Sequence, residues 1–337
     1  MAGHPISRRS LLQATAAGAG ALALGQLAPA QPASAAATFA KGADVSWVQQ
    51  MEATGYYWCN ASGVREDIFT ILKGYGLSAI RLRTWVNPST DPVNGHCGID
   101  ETAALAVRAK NAGMAVNIDY HFGDTWNSVG HQNPPAAWAA MTYSQMQQAM
   151  YNYVYHTMNV IKANGVTPTW VQIGNEINSG ICHPVGSISN PAQMTGLLNA
   201  AHDMVKEVFP SALVMIHTAQ PQNYSSLTSF FSAYNGNGGK WDMNGFSSYG
   251  SASVAAGIVA NMKSISDAYG KPYMQVEFGG NESALEAYLT ALKNDGGQGL
   301  LYWEPEVYSP FSSYSGGAWN ATNREPTATM NGFTAVP

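Results

Sequence analysis

From Lys41 onward, runs of four to six apolar residues alternate with longer segments whose apolar positions recur every three or four residues. The short runs predict strands at residues 42–45, 79–82, 115–118, 170–173, 213–216, 245–247, 273–276 and 299–303. Between them, helical periodicity covers 65–74, 100–111, 144–163, 191 to about 210, 223–234, 254–269 and 282–293. Strands that are apolar throughout are those covered on both faces, and eight of them separated by helices predict an α/β fold: a single-domain (β/α)8 TIM barrel. The end of the chain fits less well. Beyond Trp303 the sequence is rich in Ser, Gly, Tyr and Pro, so the eighth helix is either a turn or two around 327–330 or the strand count is off by one.

Residues 1–35 carry a different pattern. Ser7-Arg8-Arg9-Ser10-Leu11-Leu12, an Ala/Gly/Leu run and Ala33-Ser34-Ala35 have the form of a twin-arginine export signal with its cleavage site. The expectation is a secreted, extracellular protein whose catalytic domain is residues 36–337. Its net charge, −5 for the whole chain, becomes two units more negative once the signal and its two arginines are removed. A mildly acidic chain with no basic run offers no footprint for nucleic acid or an anionic membrane. A monomer is expected. Charged residues and aromatics each make up 11% of the chain, a composition that suits a carbohydrate-active protein with stacking surfaces. The three cysteines, Cys59, Cys97 and Cys182, lack metal or redox spacing; in an exported protein one disulfide is expected, with Cys59–Cys97 the favoured pair across neighbouring barrel loops and Cys182 an alternative to either partner.

In a barrel the residues that follow each strand converge on one site. Asp44 follows the first strand; Arg81, Arg83 and Trp85 accompany the second; Asp119, His121, Asp124 and Trp126 the third; Asn175 and Glu176 the fourth. His217 belongs to the fifth, Tyr249 to the sixth, Glu277 to the seventh, and Trp303 and Glu304 to the eighth. Two glutamates that end two different strands are what glycoside hydrolysis requires: one carboxyl kept protonated to donate to the leaving oxygen, one ionised to attack or guide water. Arg81 is expected to hold a neighbouring carboxylate ionised and lower its pKa. Asn175 can bond a sugar hydroxyl, Trp126 and Trp303 offer faces to sugar C–H groups, and Tyr249 offers a phenol to the attacking carboxylate. His121, His217 and Glu176 raise a metal reading, which the absence of H-x-H after the first strand disfavours; no G-x-S-x-G elbow supports a serine hydrolase. Neither metal nor cofactor is expected.

Gly42-Ala43-Asp44-Val45-Ser46, Ile80-Arg81-Leu82-Arg83 with Trp85, Asn117 through Trp126, Val171 through Asn178, and Tyr302-Trp303-Glu304-Pro305 together closely resemble glycoside hydrolase family 53, the endo-β-1,4-galactanases. That resemblance implies a retaining (β/α)8 enzyme acting on β-1,4-galactan of plant cell walls, with Glu176 as general acid/base and Glu277 as nucleophile. It also implies that Asn175 contacts the sugar and that Arg81 and Tyr249 orient Glu277. Two segments depart from the family pattern, Phe278-Gly279-Gly280 after Glu277 and Gly250-Ser251-Ala252 after Tyr249, and both border the expected substrate groove. Some members hold calcium near the last strands, but no acidic loop here would supply it.

Overall fold

The computed structural model describes residues 39–309 and 311–337. The export signal read from residues 1–35 lies outside the described residues. Eight parallel strands close into a barrel in sequence order: β1 (Ala40–Asp44), β2 (Ala79–Thr84), β3 (Ala115–Tyr120), β4 (Trp170–Ile173), β5 (Leu213–Ala219), β6 (Met243–Ser247), β7 (Tyr273–Phe278) and β8 (Gly299–Trp303). The eight expected strands are all present. The covering helices are α1 (Ile68–Gly74), α2 (Ile99–Asn111), α3 (Tyr143–Ala163), α4 (Pro191–Val208), α5 (Tyr224–Gly236), α6 (Ala255–Tyr269), α7 (Glu282–Asn294) and the short α8 (Gly332–Ala335). The last follows a 3-10 turn at Ala328–Asn331, so the eighth helix is indeed a turn or two and the strand count stands.

Local chemistry explains where the helices begin. The Asp67 carboxylate accepts the Phe69 N–H at 3.0 Å and starts α1 there; Arg65–Glu66, expected as its first turn, instead pairs antiparallel with Trp58–Cys59. Thr142 and Gln145 form a reciprocal capping box at the start of α3. Pro191 opens α4, where its missing N–H costs nothing. An extra helix, Val48–Ala53, follows β1; its single short turn of apolar periodicity was too brief to separate from loop.

Inside the barrel, apolar and polar levels are stacked. Ala40, Ala79, Trp170, Met215, Met243 and Leu301 form a buried plug together with Met274 and Val276. Because strand side chains alternate faces, residues two or four positions further along the same strands also point inward: Asp44, Arg81, Gln172, His217, Ser247 and Trp303. The plug is thus the floor on which a polar layer rests. Register irregularities where β7 pairs with β6 and β8 break the alternation, so Glu277 joins the inner layer although Val276 beside it belongs to the plug.

The three cysteines are free thiols, which corrects the expected Cys59–Cys97 disulfide. Cys97 Sγ faces the Gln50 amide at 3.6 Å and the Ser46 carbonyl at 3.7 Å, beneath β1. Cys59 sits in the Trp58–Cys59 strand, whose backbone bonds Arg324 and Trp319 near the C-terminus. Different neighbours hold each in place. Among the described residues no helix is long and apolar enough to cross a membrane.

Packing in the plug is close at Gly42, where an added Cβ would lie 2.4 Å from the Ala79 carbonyl oxygen and 2.5 Å from Leu301 Cδ2. Gly42→Ala is expected to destabilise by about 2 kcal/mol through overpacking, as a fall in the urea midpoint of unfolding at unchanged slope.

Candidate active site

Arg81, on β2 and 1% exposed, lies at the centre of the polar layer. Its Nη1 donates to Asp44 at 2.6 Å, its Nε to Gln172 at 2.9 Å, and its Nη2 to Asp119 at 2.9 Å and Asn175 at 2.8 Å. The same Nη2 lies 3.3 Å from a Glu277 carboxylate oxygen. Gln172 ties the group together: its oxygen also accepts from Asn117 at 2.6 Å and its amide donates to Asp119 at 3.2 Å. Burial opposes the charge of Asp119, yet Arg81 and His121 hold its carboxyl down to about 2.

Glu277, at the end of β7, accepts the Tyr249 hydroxyl at 2.6 Å on the oxygen not facing Arg81. The Tyr249 ring is 48% exposed while its hydroxyl is enclosed, and burial with the Glu277 charge keeps that phenol protonated. Burial raises the pKa of Glu277; Arg81 and Tyr249 offset only part of that rise. The expected lowering by Arg81 does not prevail over burial, to which the like charges of Asp119 and Asp44 add.

Glu176 follows β4 through Gly174, and its own backbone is left-handed at φ 50°. Its N–H donates to His217 Nδ1 at 3.3 Å, and its carboxylate accepts the Val129 N–H at 3.3 Å. His217 Nε2–H bonds Ser247 Oγ, and the Ser247 hydroxyl reaches the Glu176 carboxyl. Burial, with the Arg81 charge, holds His217 well below the usual imidazole range and so neutral. Burial and the charge of Glu277 push Glu176 up to about 7. One carboxylate oxygen of Glu176, one of Glu277 and a nitrogen of His217 lie within 4.8 Å of one another. Those three could approach a cation, but both His217 nitrogens are engaged by the Glu176 N–H and Ser247, so no imidazole lone pair is free for one.

The residues read as substrate-binding fall into three groups. Asn175, Tyr249, Trp126 and Trp303 stand at the opening; Asn175 spends its oxygen on Arg81 and one N–H on the Asn127 carbonyl at 2.8 Å, which leaves one N–H to offer. Asp44, Arg81, His121 and His217, at most 3% exposed, lie beneath and are bonded within the polar layer. His121 accepts the Asn127 N–H at 3.2 Å on Nδ1 and faces Asp119 at 3.0 Å with Nε2. Asp124 is drawn elsewhere: its oxygens accept the N–H groups of Asn87 at 3.0 Å and Ala136 at 2.9 Å, clamping two loops.

Sequence reasoning missed Gln172, Ser247 and Trp47. A polar residue at an inward position of an apolar strand was the available signal for Gln172. Arg83 is ion-paired with Glu304, and its guanidinium carbon lies 4.5 Å from the Trp126 ring centre and 4.9 Å from that of Trp47. Trp47 contacts both Trp126 and Trp303, centre to centre at 5.6 and 5.4 Å, forming one wall of the mouth. A cleft of about 450 Å³ runs from Glu176 past Val129, Gln220, Ser248 and Tyr249 on the other side.

A parallel (β/α)8 barrel with paired glutamates after β4 and β7, beside an aromatic wall, has the architecture of a glycoside hydrolase. The profile of glycosyl hydrolase family 53 matches residues 40–287, and the chain belongs to that family. It is 31% identical over 301 residues to a probable arabinogalactan endo-beta-1,4-galactanase A of Aspergillus fumigatus, covering 79% of this chain and 83% of the relative. It is 27% identical to an endo-beta-1,4-galactanase of Bacillus subtilis, covering 79% of this chain and 70% of that protein. Among solved structures, fungal beta-1,4-galactanases superimpose with a TM-score of 0.81 at 25% identity, covering 89% of this chain and all of theirs. An Ignisphaera aggregans GH53 catalytic domain gives 0.80 at 25% identity, over 88% of this chain and 96% of its own.

Two outcomes follow from the state of Glu176. A carboxyl whose pKa is about 4.5 in the unfolded chain and about 7 in the fold costs no stability below pH 4.5, then progressively destabilises as pH rises to 7. Glu176→Gln is therefore expected to raise stability by about 3 kcal/mol at pH 8 and to leave it unchanged at pH 4, by urea denaturation at both pH values. Ser247→Ala removes a bond that favours the ionised carboxylate, so the alkaline limb of the pH–rate profile should move to higher pH.

Proposed function

We propose that this protein is a secreted, monomeric endo-β-1,4-galactanase that cleaves internal bonds of β-1,4-galactan side chains, as in type I arabinogalactan, with retention of configuration. The observation that carries the mechanism is the approach of a Glu176 carboxylate oxygen to one of Glu277 within 4.8 Å, too close for a water between two catalytic carboxyls. The names of the family relatives support the substrate. In the first step a Glu277 oxygen attacks the anomeric carbon, the glycosidic C–O bond breaks, and the leaving oxygen takes the proton of Glu176. Loss of the Glu277 charge lets Glu176 ionise. It then removes a proton from water, whose oxygen attacks the same carbon and releases Glu277 as carboxylate. Arg81 and Tyr249 favour the charge on Glu277; Glu176, without a direct cation partner, keeps the proton.

Export by the twin-arginine route rests on Arg8-Arg9 and the Ala33-Ser34-Ala35 site. Replacing both arginines with lysine should retain the enzyme inside the cell, scored by immunoblot of the culture medium.

Reducing-end release from potato galactan, set against xylan, mannan and β-glucan, tests the substrate; a preference for another polymer would overturn it. For mechanism, proton NMR of early products should give the β-anomer first. Glu277→Ala should lose turnover by a factor on the order of 10⁴ or more while still binding substrate, and azide should partly restore activity with inversion. With Glu176→Ala, azide should yield a glycosyl azide of retained configuration. Because Glu176 must be protonated to act as acid, kcat/KM is expected to fall as pH rises through about 7.

A further inference from the structure

The exposed side of α3 is unusual for a surface helix. Of its 21 residues only Lys162 is charged, whereas α2 carries Asp100, Glu101, Arg108 and Lys110 over 13 residues. Surface faces of helices ordinarily carry charge. Here the solvent-facing positions include Gln148, Tyr151, Asn152, Tyr155 and His156. Tyr151 and Tyr155 are 41% and 46% exposed and stand one turn apart, side by side on one face. Among the described residues they are the one pair of large exposed apolar side chains that share a helix face.

Beside them a groove of about 470 Å³ opens between α3 and α4, lined by Gln147, Gln148 and Tyr151 on one side and Gly196, Asn199 and Asp203 on the other. The Gln147 amide donates to the Gly196 carbonyl at 3.0 Å and the Tyr143 hydroxyl at 3.1 Å, which fixes the floor. A Cβ on Gly196 would lie 1.9 Å from that hydroxyl, so glycine is what permits this floor. The one carboxylate, Asp203, is neutralised by Lys240 at 2.8 Å.

We propose that this groove and its tyrosine pair form a second carbohydrate-binding site, which holds a neutral β-linked polysaccharide chain on the outer wall of the barrel. The proposal rests on the galactanase reading for the identity of the polymer. Ring faces accept sugar C–H groups and amides accept and donate to hydroxyls, while the surface carries no net charge to suit an ionic partner. Nucleic acid or an anionic membrane would require basic residues that α3 lacks. Two half-exposed tyrosines also fall far short of the roughly 800 Å² per partner that a stable second copy would bury. The first turns of α3 and α4 lie at the barrel end where the strands deliver the glutamates, and the groove runs from near that end down the outer wall.

The test uses the Tyr151→Ala/Tyr155→Ala pair in the full enzyme, with Tyr151→Phe/Tyr155→Phe as the variant that keeps the rings. Electrophoresis through soluble galactan, in a Glu277→Ala background that stops hydrolysis, reads binding; cleavage of a short galacto-oligosaccharide with Glu277 intact reads the active site. The alanine pair should weaken retardation by at least about threefold and the phenylalanine pair much less, with kcat/KM on the oligosaccharide unchanged in both. Equal retardation with and without the rings would overturn the site, as would a wild-type dimer in sedimentation that the alanine pair abolishes. If instead wild-type enzyme leaves galactan oligosaccharides intact but xylan, mannan or β-glucan gives ring-dependent retardation, the groove stands and the galactan assignment falls.

Discussion

A single buried guanidinium governs the geometry of the barrel mouth. Arg81 reaches acceptors delivered by β1, β3, β4 and β7, and each of its nitrogens is engaged. A buried cation with incomplete partners would cost several kcal/mol, so Asp44, Asp119 and Glu277 are as necessary to Arg81 as it is to them. Through them the four strands are held in register at the level where chemistry is proposed. Asn175 is aimed by the same contact. The residue proposed to contact the sugar and the residue proposed to act as nucleophile are therefore fixed by one group.

Charge balance explains which carboxyls keep protons. Six carboxyls, Asp44, Asp119, Glu176, Glu277, Glu304 and Glu306, are enclosed around two guanidiniums, those of Arg81 and Arg83. They cannot all ionise in a medium that solvates charge poorly. Asp44, Asp119 and Glu277 contact Arg81, and Glu304 contacts Arg83; Glu176 and Glu306 have no guanidinium partner. Burial and a charged neighbour push both of those acids up, Glu306 by its closeness to Glu304 and Glu176 by its closeness to Glu277. Burial and the nearby Glu277 charge raise Glu176, and Arg81, engaged with other carboxylates, offsets only part of that rise, so the balance is a property of the whole layer.

The strands were legible because a barrel strand is buried on both faces and its apolar run is short, continuous and bounded by polar residues. Glu176 and Glu277 were legible because each ends such a run. What the sequence concealed depends on contacts between segments far apart in the chain. Asp124 looks like a site acid until its oxygens are found on the backbone of Asn87 and Ala136. His121 and His217 have the chemistry of ligands, yet every ring nitrogen is already bonded within the layer. Cysteines in adjacent loops suggest a bridge only while their neighbours are unknown. Gln172 and Ser247 went unnoticed because neither residue type is itself reactive; their importance lies in two or more simultaneous hydrogen bonds.

Backbone strain completes the picture. Phe122, Glu176, Gln220 and Glu304 all have left-handed φ, at 51°, 50°, 58° and 46°, and all lie within three residues of the end of a barrel strand. Such a conformation costs a non-glycine residue about 1–2 kcal/mol and persists only where neighbours hold it. At Glu304 the N–H donates to the Asp44 carbonyl, at Gln220 to that of Ser247. At Glu176 the acceptor is a side chain, His217 Nδ1, and it can accept only while the imidazole is neutral. The full burial of His217 supplies that neutrality, since an imidazolium there would be poorly solvated and would face the positive charge of Arg81. The neutral tautomer in turn directs its remaining N–H to Ser247, which reaches the Glu176 carboxyl. One buried, uncharged ring therefore holds both ends of the residue proposed to carry the proton: its strained backbone and its acid group.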